Sequence, residues 1–225
     1  MSAQIHLAVD AVVFGYTRQQ LQLLLIQRNI APFQGEWAIP GGLVLPEESL
    51  EAAVERELLE ETGAGINYLE QLYTFGNPER DPRNRVVSVA YFALVNPNQF
   101  QLSAATDANE ARWFPCSGLP KLAFDHTQIV EYALQRLRNK LTYEPIGLNL
   151  LDPDFRFSDL EKLYESILGR PIDRRNFRKK FMSFGILNEV AVHHSGGKGR
   201  PGTLFRFDLL KYRHLKENGF LFEIR

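Results

Sequence analysis

The sequence predicts an α+β protein in two units, on three observations. At 225 residues, 44% hydrophobic and 12% aromatic, the chain can bury a sizeable core and is long enough for one large or two small domains. Strand and helix periodicities mix up to residue 141, stop, and resume near residue 157 in a different order. The charge also changes sign: residues 1–141 carry 11 Lys+Arg against 16 Asp+Glu, a balance of −5, and residues 142–225 carry 15 against 11, a balance of +4. The expected division is a front domain at 1–141, a linker at 142–156 and a rear domain at 157–225.

In the front domain, "IHLAVDAVVFGY" and "LQLLLIQRN" read as strands of a half-buried sheet, separated by a turn containing Gly15. After "WAIPGG" the period changes. Leu50, Val54 and Leu58 recur every four residues between Ser49, an N-cap, and Gly63, a C-cap, which predicts a helix of roughly thirteen residues. "LEQLYTFG", "RVVSVAYFALV" and "EARWFP" read as further strands. "DHTQIVEYALQRLRNKL" reads as an amphipathic helix with Asp125 and Gln128 as a capping pair. This is a mixed sheet flanked by helices.

The linker "TYEPIGLNLLDPDFRF" has two prolines and no period, yet its apolar residues suggest that it packs. Ser158 with Glu161 forms a capping box for the helix "SDLEKLYESILG", closed by Gly169. Asp173 caps a second helix, "RRNFRKKFMSFG", closed by Gly185. Strand-like "ILNEVAVHH", the loop "SGGKGRPGT" and strand-like "LFRFDLL" follow. Two helices and then a hairpin with a long basic loop outline a winged helix-turn-helix.

No run of eighteen apolar residues is present, and "MSAQIHLAVD" lacks a basic region followed by an uninterrupted apolar stretch. No membrane partner is expected, and the expected location is cytoplasmic. The single Cys116 excludes an intrachain disulfide and a cysteine metal cage, and it is given no chemical role.

The first functional signal is the helix after Ser49. At about 100° per residue, Glu57, Glu60 and Glu61 share one face, away from Leu50, Val54 and Leu58. Like charges at this spacing repel by roughly a few tenths of a kcal/mol per pair, so something else must favour the cluster. A hard divalent cation, Mg²⁺ or Mn²⁺, suits several oxygen ligands. Arg56 can pin one carboxylate, and Gly41 and Gly42 let backbone carbonyls approach the ion. The alternative is a solvated acidic face.

The residues from Gly42 to Ala64 resemble the Nudix box, G-x5-E-x7-R-E-U-x-E-E-x-G-U, with Gly42, Glu48, Arg56, Glu57, Glu60, Glu61 and Gly63 matching and Ala64 smaller than the usual aliphatic residue. The resemblance implies a βαβα sandwich, Mg²⁺ held by Glu57, Glu60 and Glu61, and attack of water on a pyrophosphate linkage. The stretch "FGNPERDPRNRVVSVAYFALV", with "EARWFP" and "LAFDH", is similar to the sub-group that handles ADP-ribose. It makes Arg80, Arg83 and Arg85, with Arg28, candidate ligand contacts and puts Glu110 near the water. An exposed hairpin charge cluster is the alternative for the three arginines.

Between Arg170 and Arg200 eight basic residues stand against two acids. Phe177, Phe181 and Phe184 form the buried stripe of the second rear helix. That leaves Arg174, Arg175, Arg178 and Lys179 exposed for a major groove, with Asn176 able to read adenine. Lys198 and Arg200 suit a wing reaching backbone phosphate or the minor groove. The order of domains, with "PIDRRNFRKKF" and "GRPGTLFRF", resembles the Nudix-related transcriptional regulators over nearly the whole chain. The resemblance implies a homodimer on palindromic operator DNA, with a front domain that senses ADP-ribose or a related nucleotide sugar and regulates NAD or sugar metabolism. An active ADP-ribose pyrophosphatase, alone or in a bifunctional protein, is the rival expectation. A rear protein-interaction module is a third.

Overall fold

A twelve-residue strand whose middle eight residues are all buried organises the front of the molecule: β1 (His6–Thr17). The computed structural model describes residues 4–99, 102, 108–193 and 202–224. Two units divide the chain, Met1–Arg136 and Leu137–Arg225.

In the first unit β1 pairs antiparallel with β2 (Gln20–Arg28) and parallel with β6 (Val86–Leu94). The turn between β1 and β2 is made by Arg18 and Gln19, with φ of 50° and 62°, and not by Gly15, which lies inside β1. Gly15 is needed there for another reason, because a Cβ would fall 2.7 Å from Pro97 and 2.8 Å from Trp113. The remaining strands are β3 (Trp37–Ala38), β4 (Gly41–Leu43), β5 (Tyr68–Phe75) and β7 (Ala108–Pro115). The sheet runs β3-β2-β1-β6-β5, with β4 on β1 and β7 on β2. β4 sets Gly42 opposite Val9 and Gly41 opposite Asp10.

Helix α1 (Leu50–Thr62) has the thirteen residues that the sequence predicts. The Ser49 hydroxyl accepts from the Ala52 N–H, and Gly63 closes the helix at φ 70°. Its apolar stripe, Ala53, Val54 and Leu58, is sealed against Val9, Ala11, Val13 and Tyr91. At roughly 25 cal/mol per Å² of apolar surface, this burial anchors the carboxylate helix on the sheet far more firmly than its caps do. Helix α2 (His126–Leu141) starts one residue after Asp125. The expected capping role of Asp125 is not seen, because Arg80 takes its carboxylate. The Gln128 N–H bonds to the Asp125 main-chain carbonyl instead.

In the second unit, the expected linker contains a 3₁₀ turn (Ile146–Leu150) and strand β8 (Asp154–Arg156), which pairs with β10 (Gly202–Phe207). β10 also pairs with β9 (Leu187–His193), giving the order β8-β10-β9. Helix α3 (Phe157–Leu168) opens before Ser158, because Phe157 is itself core and meets Phe177, Phe181 and Phe205 edge-on at about 6 Å. The Asp159 carboxylate accepts from the Arg156 N–H, in place of the expected Ser158–Glu161 box. Helix α4 (Arg174–Ser183) is capped by Asp173 as expected. "DLL" is not strand: Asp208 caps α5 (Leu209–Glu217), which sequence periodicity did not reveal. The tail then returns Phe222 against Phe181 and Phe184, and the Ile224 N–H donates to the Thr142 carbonyl at 2.8 Å.

Candidate functional site

A cavity of about 460 Å³ opens where β1, β4 and α1 meet the segments around residues 80–86 and 124–126. Its residues come from distant parts of the first unit. Gly41, Arg56, Glu57 and Glu61 line it together with Arg28, Arg80 and Arg83.

The acidic side is held by Arg56. Its guanidinium bonds Glu48 at 2.7 and 3.0 Å, Glu57 at 2.8 Å and Glu60 at 3.3 Å. The hydrogen bonds from Arg56 hold the Glu48 carboxyl down at about 2. Glu57 moves the other way, because burial raises its pKa against the pull of Arg56. Its carboxylate rests on Gly42, where a Cβ would fall 2.2 Å from Oε1, so glycine is required for this seat. Glu61 is buried and accepts from the Gly41 N–H at 2.9 Å. Glu60 lies outside the cavity lining, with its side chain 55% exposed.

Among the described residues no three acidic or imidazole side chains close around one point. Two carboxylates do meet the cavity, Glu57 and Glu61, and both offer hard oxygen donors. Mg²⁺ characteristically takes one or two carboxylates and completes its shell with water and ligand phosphate, so this donor set fits such an ion. The seat on Gly42 and the burial of Glu57 favour a cation there, since a half-buried carboxylate gains from a neighbouring positive charge.

The opposite side is basic and aromatic. Arg80 is buried and bonds Asp10 at 2.9 Å and Asp125 at 2.8 and 3.0 Å. Ser88 donates to the same Asp10 oxygen at 2.6 Å. His126 is buried, and its Nδ1 accepts from the Ile39 N–H at 3.1 Å, which places the ring proton on Nε2, 3.7 Å from Asp10. Burial lowers its pKa, so the ring is neutral near pH 7. Phe124, at φ 52°, has two guanidiniums near its ring, Arg28 at 4.8 Å and Arg83 at 5.8 Å from its centroid. A positive φ at a bulky non-glycine residue is a strained conformation that marks a constrained position. Arg83 is braced by Asp81. Arg85 donates to the Val86 carbonyl and is not part of the lining, and Glu110 pairs with Arg112, also away from it.

Sequence reasoning passed over Asp10, Phe124, Asp125 and His126 as site residues. Asp10 carried a usable signal, a single charge inside the apolar run "HLAVDAVVF". The others sit in "AFDH", which has no periodicity to mark it.

In the second unit Arg174, Arg175, Asn176, Arg178 and Lys179 are all exposed on α4. They are not equivalent. Arg174 pairs with Glu165 at 3.2 Å, Arg178 stacks over Phe157 at 4.5 Å, and the Asn176 amide donates to Asp173 at 2.7 Å. Arg175 and Lys179 point furthest from the Phe177–Phe181 stripe on helical geometry, and neither has a side-chain partner among the described residues. Lys198 and Arg200 lie outside the described residues.

A cavity that sets carboxylates against arginines, in one unit, and a winged helix with an exposed basic helix, in the other, define a class: a ligand-binding Nudix domain joined to a DNA-binding domain. Comparison with known proteins agrees. Residues 4–135 match the NUDIX domain and residues 147–207 the NrtR DNA-binding winged helix domain. The chain belongs to the NrtR family of Nudix-domain transcriptional regulators. It is 38% identical, over 92% of its length and 83% of the relative's, to the "ADPR responsive transcriptional repressor NtrR" of Acinetobacter baylyi. It is similar to the crystal structure of Shewanella oneidensis NrtR complexed with a 27mer DNA, at TM-score 0.82 and 35% identity over 97% of this chain and 99% of that one. The NUDIX domain of the same Shewanella protein complexed with ADP ribose aligns at TM-score 0.56 and 42% identity, over 61% of this chain and 90% of that one.

Proposed function

We propose that this chain is a transcriptional repressor of NAD metabolism whose Nudix domain binds ADP-ribose and thereby changes the affinity of the winged helix for operator DNA. The observation that carries the ligand assignment is that Arg28, Arg80 and Arg83 share one cavity lining with Glu57 and Glu61. Arginine forks suit a pyrophosphate, and the carboxylates suit the cation that accompanies it. Phe124 offers an aromatic face beside them. The relatives bound to DNA and to ADP ribose support the same pairing of partners.

Mg²⁺, or Mn²⁺, would be held by Glu57 and Glu61, with Glu60 joining once Arg56 releases it. The ion would neutralise phosphate charge and acidify bound water. Arg56 orders Glu57 and Glu48 for this role, and Arg80 is held in the cavity by Asp10 and Asp125. On α4, Arg175 and Lys179 would meet DNA first. Lys198 and Arg200 would extend the contact from the wing. A homodimer would present two such helices about one DNA turn apart, in the cytoplasm.

Hydrolysis is the second reading, favoured by the intact box and by the undisturbed seat of Glu57 on Gly42. Incubation with ADP-ribose and Mg²⁺ tests it: release of AMP that is lost in Glu57→Gln supports turnover, and unchanged ADP-ribose confines the domain to sensing. The regulator reading is tested by binding to duplex DNA from upstream of its own operon. Absence of salt-sensitive, sequence-specific binding would refute it.

A further inference from the structure

The second unit holds a cleft of about 630 Å³ that the DNA-binding reading leaves without a role. It lies among the end of α3, the loop leading to α4, the first two turns of α4 and the C-terminal tail. Its apolar lining includes Tyr164, Phe177 and Ile224, all buried, and Leu168.

Two cations also meet the cleft, Arg170 and Lys180. Arg170 is exposed and has no partner among the described residues. Two acids share the lining, Asp173 and Glu223, and both Asp173 oxygens already accept from Asn176. Near-balanced charge disfavours a polyanion such as DNA or a pyrophosphate, which suit the basic α4 face and the front cavity. Arg170, the cation without a partner among the described residues, suits a single negative charge on an otherwise apolar body.

We propose that this cleft is a second small-molecule site, for a compound with an aromatic or branched aliphatic body and one negative charge. The apolar lining takes the body and Arg170 takes the anion. Phe177 and Lys180 stand on α4, so an occupant touches the helix assigned to the DNA groove and gives the protein an input separate from the Nudix cavity.

The experiment is a fluorescence titration of the full chain with 8-anilinonaphthalene-1-sulfonate, an aromatic monoanion, on the wild type, Leu168→Trp and Arg170→Gln. Leu168→Trp fills the cleft. Arg170→Gln removes an exposed charge and keeps the fold, so it decides the matter if the tryptophan variant fails to fold. The wild type is expected to show one saturable site, weakened roughly tenfold or more in each variant. Wild-type probe affinity in Arg170→Gln, or in folded Leu168→Trp, or no saturable site in the wild type, overturns the proposal.

Discussion

Arg80 and Asp125, forty-five residues apart, form a two-pronged ion pair, with Nε to Oδ2 at 3.0 Å and Nη2 to Oδ1 at 2.8 Å. The same guanidinium reaches Asp10 on β1. One arginine therefore pairs with two carboxylates that the fold has taken largely out of water, and it does so in the lining of the cavity. Arg80→Ala leaves both acids without their cation. Breaking a buried pair in this way costs about 3–5 kcal/mol, so a large fall in melting temperature and loss of ADP-ribose binding are expected in thermal melts with and without ligand. A variant as stable as the wild type would show that the network does not anchor the cavity.

Gly42→Ala separates the seat of Glu57 from the fold. The intruding Cβ meets the end of a flexible side chain, which can swing away. The variant is expected to melt close to the wild type but to lose the rise in melting temperature that the proposed Mg²⁺ site predicts for the wild type. Gly41→Ala is the contrast. Its Cβ falls 2.3 Å from the Val9 main-chain oxygen, which has nowhere to go, so that variant destabilises the domain itself.

His126 makes stability depend on pH. Its folded pKa is lowered by burial from an ordinary value of 6.5, so the unfolded chain binds the proton more readily. Its contribution is present above pH 6.5 and is lost as pH falls from there towards the folded value. Denaturant midpoints measured from pH 7.5 down to pH 5.5 are expected to decline, with a shallower decline in His126→Gln. Equal slopes would remove His126 as the cause.

On α4 the basic residues are expected to fail in different ways. Arg175→Ala should leave the melt unchanged and reduce the salt slope of DNA binding by roughly one, as loss of one phosphate contact does. Arg178→Ala also loses its stacking over Phe157 and Phe205, worth about 0.5–1 kcal/mol at an exposed site, and should lower the melting temperature as well. Anisotropy titrations across a salt series, paired with melts, distinguish the two.

What the sequence made legible was local. Ser49, the four-residue spacing of Leu50, Val54 and Leu58, and Gly63 sit within fifteen residues of one another, and α1 appears where that pattern places it. The Asp173 cap and the Phe177–Phe181 stripe of α4 were legible for the same reason. Arg28, Arg80 and Arg83 were marked in advance through the family resemblance, but the network that holds Arg80 was not, because Asp10, Arg80, Asp125 and His126 meet only through the sheet, and no periodicity links residues 45 to 116 positions apart. Two errors came from a stronger tertiary demand. Arg80 drew Asp125 away from capping, and the need to bury Phe157 moved the start of α3. Strand β8 escaped notice because its three residues are too few to show alternation.

Occupancy of the Nudix cavity is expected to set the affinity for operator DNA, and a single titration reads that coupling. Labelled duplex from upstream of the protein's own operon is titrated with the full chain at fixed salt, with and without ADP-ribose, and Kd is read from anisotropy. A coupling of about 1.4 kcal/mol appears as a tenfold change. Specific DNA binding that weakens about tenfold or more with ADP-ribose, and no longer responds in Glu57→Gln, is the predicted result. A Kd identical with and without ADP-ribose, in a protein shown by calorimetry to bind it, would refute coupling between the cavity and the DNA-binding domain.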